Sequence, residues 1–268
     1  MKISIVMAYY NNRKEQTIHT LNSIKNFYHP LEKPYYDFEV VIVDDNSDAE
    51  FKLHDIIVHY PYKIKYIEIS KEEKGTRINP CLAYNKGFEN AEGDVIIIQN
   101  PECMHVGDLI LFLLENLTIN DYYAFSCFST NNPHTSNEMV NSNYKYNLIY
   151  DTHFLEINQP GINWFNHPIH RPVSYHFCTA IYKEKLNLLG GFDPAYAEGY
   201  CYDDDEFLFR IKYNLKLNVI NIPPDKVFVV HQYHLNSSSS FTHDNNPLSH
   251  LLEKNKKLFE ELKDNFVY

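Results

Sequence analysis

The chain has 268 residues, with 24 Lys+Arg against 35 Asp+Glu and a formal net charge of −11. That length suits one compact domain or two small ones, and the acidic balance excludes a surface built to neutralise many nucleic-acid phosphates, so no nucleic-acid partner is expected. At 44% hydrophobic and 15% aromatic residues, the chain carries enough apolar surface to fold around a sizeable core.

Taken in order, Ile3 to Tyr9 is a short apolar run that reads as a strand, and Ile18, Leu21, Ile24, Phe27 and Tyr28 then recur at helical spacing. Asn12 and Glu15 have the three-residue separation of a capping box. Phe38 to Val43 is β-branched and ends at Asp44-Asp45-Asn46-Ser47-Asp48, a cluster of turn formers. Lys63 to Ile69 alternates as a third strand. Cys81, Tyr84, Phe88 and Ala91 mark a helix that starts near Pro80. Val95 to Ile98 has the uniform apolarity of a buried parallel strand.

The second half is less regular. A helix is expected over Asp108–Leu117, strands at Tyr122–Phe128 and Tyr175–Tyr182, and a polar loop over Ser129–Asn147. Phe207, Leu208, Ile211 and Leu215 mark one helix face, and Val227–Val230 is a short apolar strand. Ser237–Ser240 is a low-complexity link to a charged helix over Pro247–Lys263. The repeated β-α units predict an α/β fold with a doubly wound, mostly parallel sheet and helices on both faces. One domain over 1–240 is expected, divided into a nucleotide-binding half (1–103) and an acceptor-binding half (104–240), with 241–268 as a helical tail.

The longest apolar stretch, Leu109–Leu114, falls far short of the roughly 20 residues that cross a bilayer, so no membrane span is expected. The opening Met1–Met7 is too short for a signal h-region and has no cleavage pattern after it, so a cytoplasmic protein is expected. Cys81, Cys103, Cys127, Cys178 and Cys201 contain no C-x-x-C pair and read as reduced, mostly buried thiols. A homo-oligomer is compatible with the chain, which fixes no oligomeric state.

Ligands of doubly wound sheets bind outside the carboxyl ends of the strands. Those ends are Ala8–Asn12, Asp44–Asp48 and Gln99–Glu102. An aromatic ring from Ala8-Tyr9-Tyr10-Asn11 beside a carboxylate of the Asp44–Asp48 loop suits a nucleobase, although a solvated acidic turn is the plainer reading of Asp44–Asp48. Glu102 sits where an α/β enzyme places an oxygen ligand for Mg²⁺ or Mn²⁺, and Asn100-Pro101 is also a common turn starter. Asp203-Asp204-Asp205-Glu206 opens a helix. The helix dipole favours acids there by about 0.3–1 kcal/mol each, but four in a row repel one another. The run makes better sense if one acid serves as a general base, and Arg210 is placed to pair with Glu206 at i+4. His231 and His234 end an apolar strand; with 14 histidines in the chain a chance pair of core or surface residues is the plainer reading, and near Glu102 they would complete a mixed nitrogen and oxygen metal site.

The order Ser4-Ile5-Val6-Met7-Ala8-Tyr9-Tyr10-Asn11, Val41-Ile42-Val43-Asp44-Asp45-Asn46-Ser47 and Asn85-Lys86-Gly87-Phe88-(x4)-Gly93-Asp94-Val95-Ile96 resembles the nucleotide-binding half of family 2 glycosyltransferases, which have the GT-A fold. Leu189-Gly190-Gly191-Phe192-Asp193 and Gly199-Tyr200-Cys201-Tyr202-Asp203-Asp204-Asp205-(x4)-Arg210 are similar to that group's acceptor-side motif, which animal galactosyltransferases share. The likeness spans roughly residues 3 to 234. It implies that Tyr10 stacks on a nucleobase, usually uracil, that Asp45 accepts its ring N–H and that Ala8 lines the same pocket. Arg13 and Arg77 would contact the base or diphosphate. The family's D-x-D motif falls on Asn100-Pro101-Glu102, with Glu102 on the cation and Asn100 facing the ribose and metal shell. His231 matches the later histidine ligand, with His234 as the fallback. Asp204 matches the catalytic base, and Asp203 the neighbouring acid that orients the acceptor.

The implied reaction is an inverting single displacement. A hexosyl group passes from a nucleotide-sugar, usually a UDP-sugar, to a hydroxyl of a glycan or glycoconjugate, with Mn²⁺ or Mg²⁺ as cofactor. Asn100 departs from the motif and removes one negative charge from the metal shell, which lowers cation affinity. A noncatalytic nucleotide-sugar or glycan-binding module with a decayed metal site is the competing reading. A nucleotidyltransferase would want a basic phosphate-gripping loop near the N-terminus, where only Arg13 and Lys14 stand. Trp164, His167, His170, Arg171 and His176 fall where an acceptor pocket is expected, with a packing role equally open for each.

Overall fold

A computed structural model describes residues 1–28, 36–130, 133–141, 163–234 and 248–266. In chain order the elements are β1 (Ile3–Tyr9), α1 (Lys14–Tyr28), β2 (Phe38–Asp44), α2 (His54–Ile57), β3 (Lys63–Glu68), α3 (Lys71–Lys74), α4 (Cys81–Asn90), β4 (Val95–Gln99), β5 (Cys103–Val106), α5 (Leu109–Asn116) and β6 (Asp121–Phe125). They continue with β7 (Cys127–Ser129), α6 (Pro133–Asn141), β8 (Trp164–Asn166), β9 (Cys178–Tyr182), α7 (Lys183–Leu189), α8 (Asp203–Tyr213), β10 (Asn218–Ile222), β11 (Phe228–His231) and α9 (Ser249–Asn265).

Seven strands form the main sheet in the order β10-β6-β9-β4-β1-β2-β3. β1 pairs in parallel with both β2 and β4, and β2 with β3, while β9 runs antiparallel between β4 and β6. Because the chain moves outward from β1 to β3 and then returns across β1 to build β4, the strand order reverses between β1 and β4. In open α/β sheets such a switch point leaves a crevice at the carboxyl ends, where ligands bind. A smaller sheet, β5-β11-β7-β8, stands beside it. The fold is therefore mixed α/β with a large, mostly parallel sheet flanked by helices, as the β-α pattern implies.

Both faces of the main sheet are covered, which explains why β2 and β4 carry no polar alternation through their apolar stretches. On one face Ile3, Ile5, Met7 and Tyr9 pack with Leu21 and Ile24 of α1. On the other, Val6, Val41, Ile96 and Ile98 pack with Tyr84 and Phe88 of α4 and Phe207 of α8. Gly87 lets α4 lie directly on β1, since a Cβ there would come within 2.4 Å of Val6 Cγ1. A third cluster, with Trp164, Phe128 and Phe228, fills the small sheet.

Several expectations are corrected. The Tyr122–Phe128 run is two strands, because the chain changes sheets at Ser126. That residue's N–H and hydroxyl both donate to Ile222 O (3.2 and 2.6 Å), while its own carbonyl accepts from Val229 N (2.9 Å). The strand expected from Tyr175 begins only at Cys178. Pro133–Asn141, inside the expected polar loop, is helix α6. The capping box does not form: α1 is entered through a 3-10 turn over Asn11–Arg13, and the Asn12 side chain accepts from Arg13 (3.2 Å). The Ser237–Ser240 link and the 240/241 boundary lie outside the described residues. Among the described residues no helix is long and apolar enough to cross a membrane, and Cys81, Cys103, Cys127 and Cys178 are free and buried, with Cys201 free and exposed.

Candidate active site

The ends of β1 and β4 open onto a cavity of about 220 Å³ lined by Ala8, Tyr10, Arg13, Tyr84, Asn100 and Glu102, among others. Tyr10 presents its ring to this space and is 46% exposed. Its face is covered by the Lys74 ammonium, 3.4 Å from the ring centroid, a cation–π contact. Asp45 is buried beside it. Arg77 reaches its Oδ1 (2.6 Å), Lys74 Nζ its Oδ2 (3.2 Å), and Lys74 also donates to the Asp45 carbonyl (2.7 Å). The adjacent Asp44 is committed to structure, accepting from Ser47 N (2.7 Å) and from the Tyr66 hydroxyl.

At the cavity's other wall, Glu102 Oε1 lies 3.2 Å from His231 Nε2, 3.6 Å from His234 Nε2 and 3.6 Å from Arg13 Nε. These residues meet because β11 pairs antiparallel with β5, setting His231 opposite Cys103, one residue beyond Glu102. Gln232 then staples the junction, its backbone N–H and its side-chain amide both donating to Glu102 O (3.1 and 3.0 Å). Burial would raise the Glu102 carboxyl, but the two imidazoles and Arg13 hold it well below the usual carboxylate range. Glu102, His231 and His234 offer one carboxylate oxygen and two ring nitrogens within 4.8 Å of one another, a hard and borderline donor set suited to Mg²⁺, Mn²⁺ or a later divalent metal. Asn100 turns its amide oxygen to the Tyr84 hydroxyl (3.0 Å).

A second cavity, about 540 Å³, adjoins the first, with Pro80 and Asn100 lining both. Its far wall is the acidic start of α8, and the four acids are tolerated because each has its own partner. Asp203 accepts from Asn79 Nδ2 (2.8 Å). Asp204 accepts from the His176 backbone N–H (2.9 Å) and ion-pairs with its imidazole. Asp205 accepts from the Tyr175 hydroxyl (2.8 Å). Glu206 is gripped by Arg210, whose guanidinium also donates to Leu189 O and Gly191 O (2.8 Å each).

Burial and the neighbouring Asp204 push the Asp203 carboxyl up to about 6. Burial would lower the His176 imidazole, but the Asp204 and Asp203 carboxylates outweigh it and the net shift is upward. The loop that delivers these acids is strained. Cys201 (φ 57°) and Tyr202 (φ 62°) are successive left-handed residues, each costing roughly 1–2 kcal/mol for an L-residue.

Tyr84 lines the first cavity and is otherwise buried, and its hydroxyl is raised by burial and then by the Glu102, Asp204 and Asp203 carboxylates. The predicted residues Ala8, Tyr10, Arg13, Asp45, Asn100, Glu102, His231, Asp203 and Asp204 are thus gathered at one end of the sheet. Arg77 sits behind Asp45 and is only 4% exposed. Of the histidine-rich stretch, His176 lines the larger cavity. Trp164 instead packs in the small-sheet core, and His167 accepts from the Ile169 and His170 backbone N–H groups (3.0 and 2.9 Å), closing a tight turn. Lys74, Asn79, Tyr84 and Tyr175 join the site outside any motif that points to it. Asn79 did carry one signal: it precedes Pro80, and its Oδ1 accepts from Cys81 N (2.9 Å), an Asx turn that marks the start of α4.

The glycosyl transferase family 2 model matches residues 4–187. The chain belongs to that family. It is 31% identical over 117 residues to a dolichol-phosphate mannosyltransferase of Pyrococcus furiosus, a stretch covering 43% of this chain and 30% of that protein. Among solved structures it is similar to the mannosyltransferase PcManGT of Pyrobaculum calidifontis in complex with GDP-Man and Mn²⁺ (TM-score 0.51, 14% identity, 90% of this chain and 59% of that one). It is also similar to S. aureus TarS 1–349 (TM-score 0.57, 15% identity, 87% and 60%), a fragment also solved with UDP-GlcNAc. These structural likenesses establish the GT-A fold of this family 2 chain, which spans under a third of that curated relative and about 60% of these two solved chains.

Proposed function

We propose that this family 2 protein is an inverting glycosyltransferase that moves a hexosyl group from a nucleotide-sugar, with UDP-sugars favoured, to a hydroxyl of a glycan or glycoconjugate. The observation that carries the reading is the junction of two cavities at Pro80 and Asn100, one holding Glu102, His231 and His234 and the other Asp203 and Asp204. Donor and acceptor then meet at the sheet's switch point, and holding them in line supplies much of the rate enhancement.

In the displacement, the acceptor oxygen forms a bond to the anomeric carbon as the bond from that carbon to the diphosphate oxygen breaks. The electron pair leaves with the nucleoside diphosphate. Asp204 takes the acceptor's proton, and its contact with the His176 backbone N–H fixes the carboxylate's orientation. Asp203, held by Asn79, orients the acceptor. Tyr10 offers a stacking face once Lys74 leaves it, Asp45 accepts the base N–H, Ala8 lines the pocket, Arg13 supplies positive charge toward base and diphosphate, and Arg77 acts from behind by orienting the Asp45 carboxylate. Glu102, His231 and His234 would hold the Mn²⁺ or Mg²⁺ ion, with Asn100 adding a neutral oxygen. A bound cation supplies charge stabilisation for the departing diphosphate. The buried free thiols suit a reducing compartment, and we place the enzyme in the cytoplasm.

The test is hydrolysis of donor by the purified protein with Mn²⁺, across UDP-glucose, UDP-galactose, UDP-N-acetylglucosamine and GDP-mannose. Slow nucleotide release from one donor, with the opposite anomer of free sugar appearing first by NMR, is the expected outcome. Tight nucleotide-sugar binding with no release from any donor would instead favour the noncatalytic module.

A further inference from the structure

The acidic start of α8 is held from outside by the far end of the chain. Tyr202, the residue before α8, provides no side-chain cap, and Cys201 and Tyr202 both sit in the left-handed region. Something else must over-determine that conformation. Asn255, in the middle of α9, is 0% exposed. Its side-chain amide donates to Tyr196 O (3.1 Å) and to Cys201 O (2.8 Å). One turn earlier, Leu251 O accepts from Tyr200 N (3.1 Å). The fit leaves no room for change: a Cβ on Gly199 would lie 1.8 Å from Asn255 Oδ1. Aromatic contacts extend the seam, with Phe259 packing on Tyr202 (6.0 Å between centroids) and on Phe209 (6.1 Å), and Phe266 on Phe209 (5.1 Å).

We infer that α9 is a clamp on the acceptor side of the cleft, and that Asn255 is a positioning residue which, by fixing the Gly199–Tyr202 loop, aims Asp203 and Asp204 at the acceptor; the catalytic part of this inference rests on the glycosyl-transfer reading above. The clamp acts on one wall only. Its hydrogen bonds fall on Tyr196, Glu198, Tyr200 and Cys201, whereas Glu102, His231 and Asp45 are held by β5, β11 and Arg77. Weakening it therefore separates turnover from nucleotide binding, a split that general loss of structure does not produce.

The experiment compares the full chain with Asn255→Ala and, as the milder variant that keeps the amide, Phe259→Leu. Three quantities are read: UDP affinity with Mn²⁺ by calorimetry, nucleotide release per UDP-binding site from the donor that the wild type hydrolyses, and backbone amide exchange. In Asn255→Ala, UDP affinity stays within about twofold, release falls by about tenfold or more, and exchange quickens across 196–205 but not across 40–46 or 95–103. Phe259→Leu follows the same pattern with a smaller drop. Unchanged release in both variants, or parallel loss of UDP binding and release with exchange quickened everywhere, would overturn the inference. A wild type that releases nucleotide from no donor counts against glycosyl transfer alone. The exchange map then decides the clamp, a quickened 196–205 segment supporting it and an unchanged one overturning it.

Discussion

The two walls of the cleft, proposed for donor and for acceptor, are built by opposite means. Glu102 and His231 are fixed by antiparallel pairing of β5 with β11, close to regular structure and backed by a packed core. Asp203 and Asp204 stand at the end of a left-handed loop and rely on separate partners, Asn79 and His176, brought in from other parts of the chain. A sheet edge fixes its ligands through main-chain hydrogen bonds that many sequences can make. A strained loop depends on particular side chains, so single substitutions there should disturb chemistry more than binding.

The largest expected effect is on the acceptor wall. Asp204→Asn keeps the side-chain shape and the oxygen that accepts from His176 N but removes the basic carboxylate. Release of nucleotide should fall by about 10²–10⁴-fold, while UDP titrates as in the wild type. Near-normal turnover would show that Asp204 is not the base. On the donor wall the order reverses. Glu102→Ala should weaken Mn²⁺-dependent UDP binding by at least about tenfold, or 1.4 kcal/mol, and an unchanged Mn²⁺ titration would remove Glu102 from the cation site. A smaller, opposite effect is expected for Asn100→Asp. It restores the charge that the D-x-D pattern carries, so Mn²⁺ should bind severalfold more tightly, because cation affinity follows the charge of its ligands. No tightening would mean that residue 100 does not face the ion.

The sequence discloses these two walls unevenly, for a physical reason. β1, β2, β4 and β11 are largely apolar, so their runs stand out, and Glu102 and His231 are legible as the first carboxylate past Ile98 and the first histidine past Val230. By contrast β5, β8 and β10 are three to five residues long, too short for a period to register. The change of sheet at Ser126 is also invisible, because Tyr122–Phe125 and Cys127–Phe128 are equally apolar on either side of it. On the acceptor wall the acids themselves are conspicuous. Their partners are not, since Asn79 lies 124 residues from Asp203 and His176 lies 28 from Asp204. The apparent repulsion of four adjacent acids is relieved only in three dimensions. Lys74 over Tyr10 is likewise a tertiary contact between residues with no shared pattern.

The weakest effect reports on the acceptor wall without any substrate. Asp203 ordinarily ionises near 3.8, and burial with Asp204 beside it moves this to about 6 in the folded protein. Between those two values the native state keeps a proton that the unfolded chain has released, so the unfolding free energy falls as pH rises through that window and stays lowered above it. The raised His176 imidazole works in the same direction but later: its stabilising charge is fully present below its ordinary value near 6.5 and is lost as pH climbs through its raised folded value. Asp203→Asn retains an oxygen to accept from Asn79 and cannot ionise. Its melting temperature should therefore lose the decline between about pH 4 and 6 and exceed that of the wild type at pH 7.5 by about 2–4 °C, the shift expected per kcal/mol in a domain of this size. His176→Gln should leave that early decline in place and remove the later one. A decline between pH 4 and 6 that survives Asp203→Asn would place the titrating group elsewhere and free Asp203 from its buried, proton-retaining role.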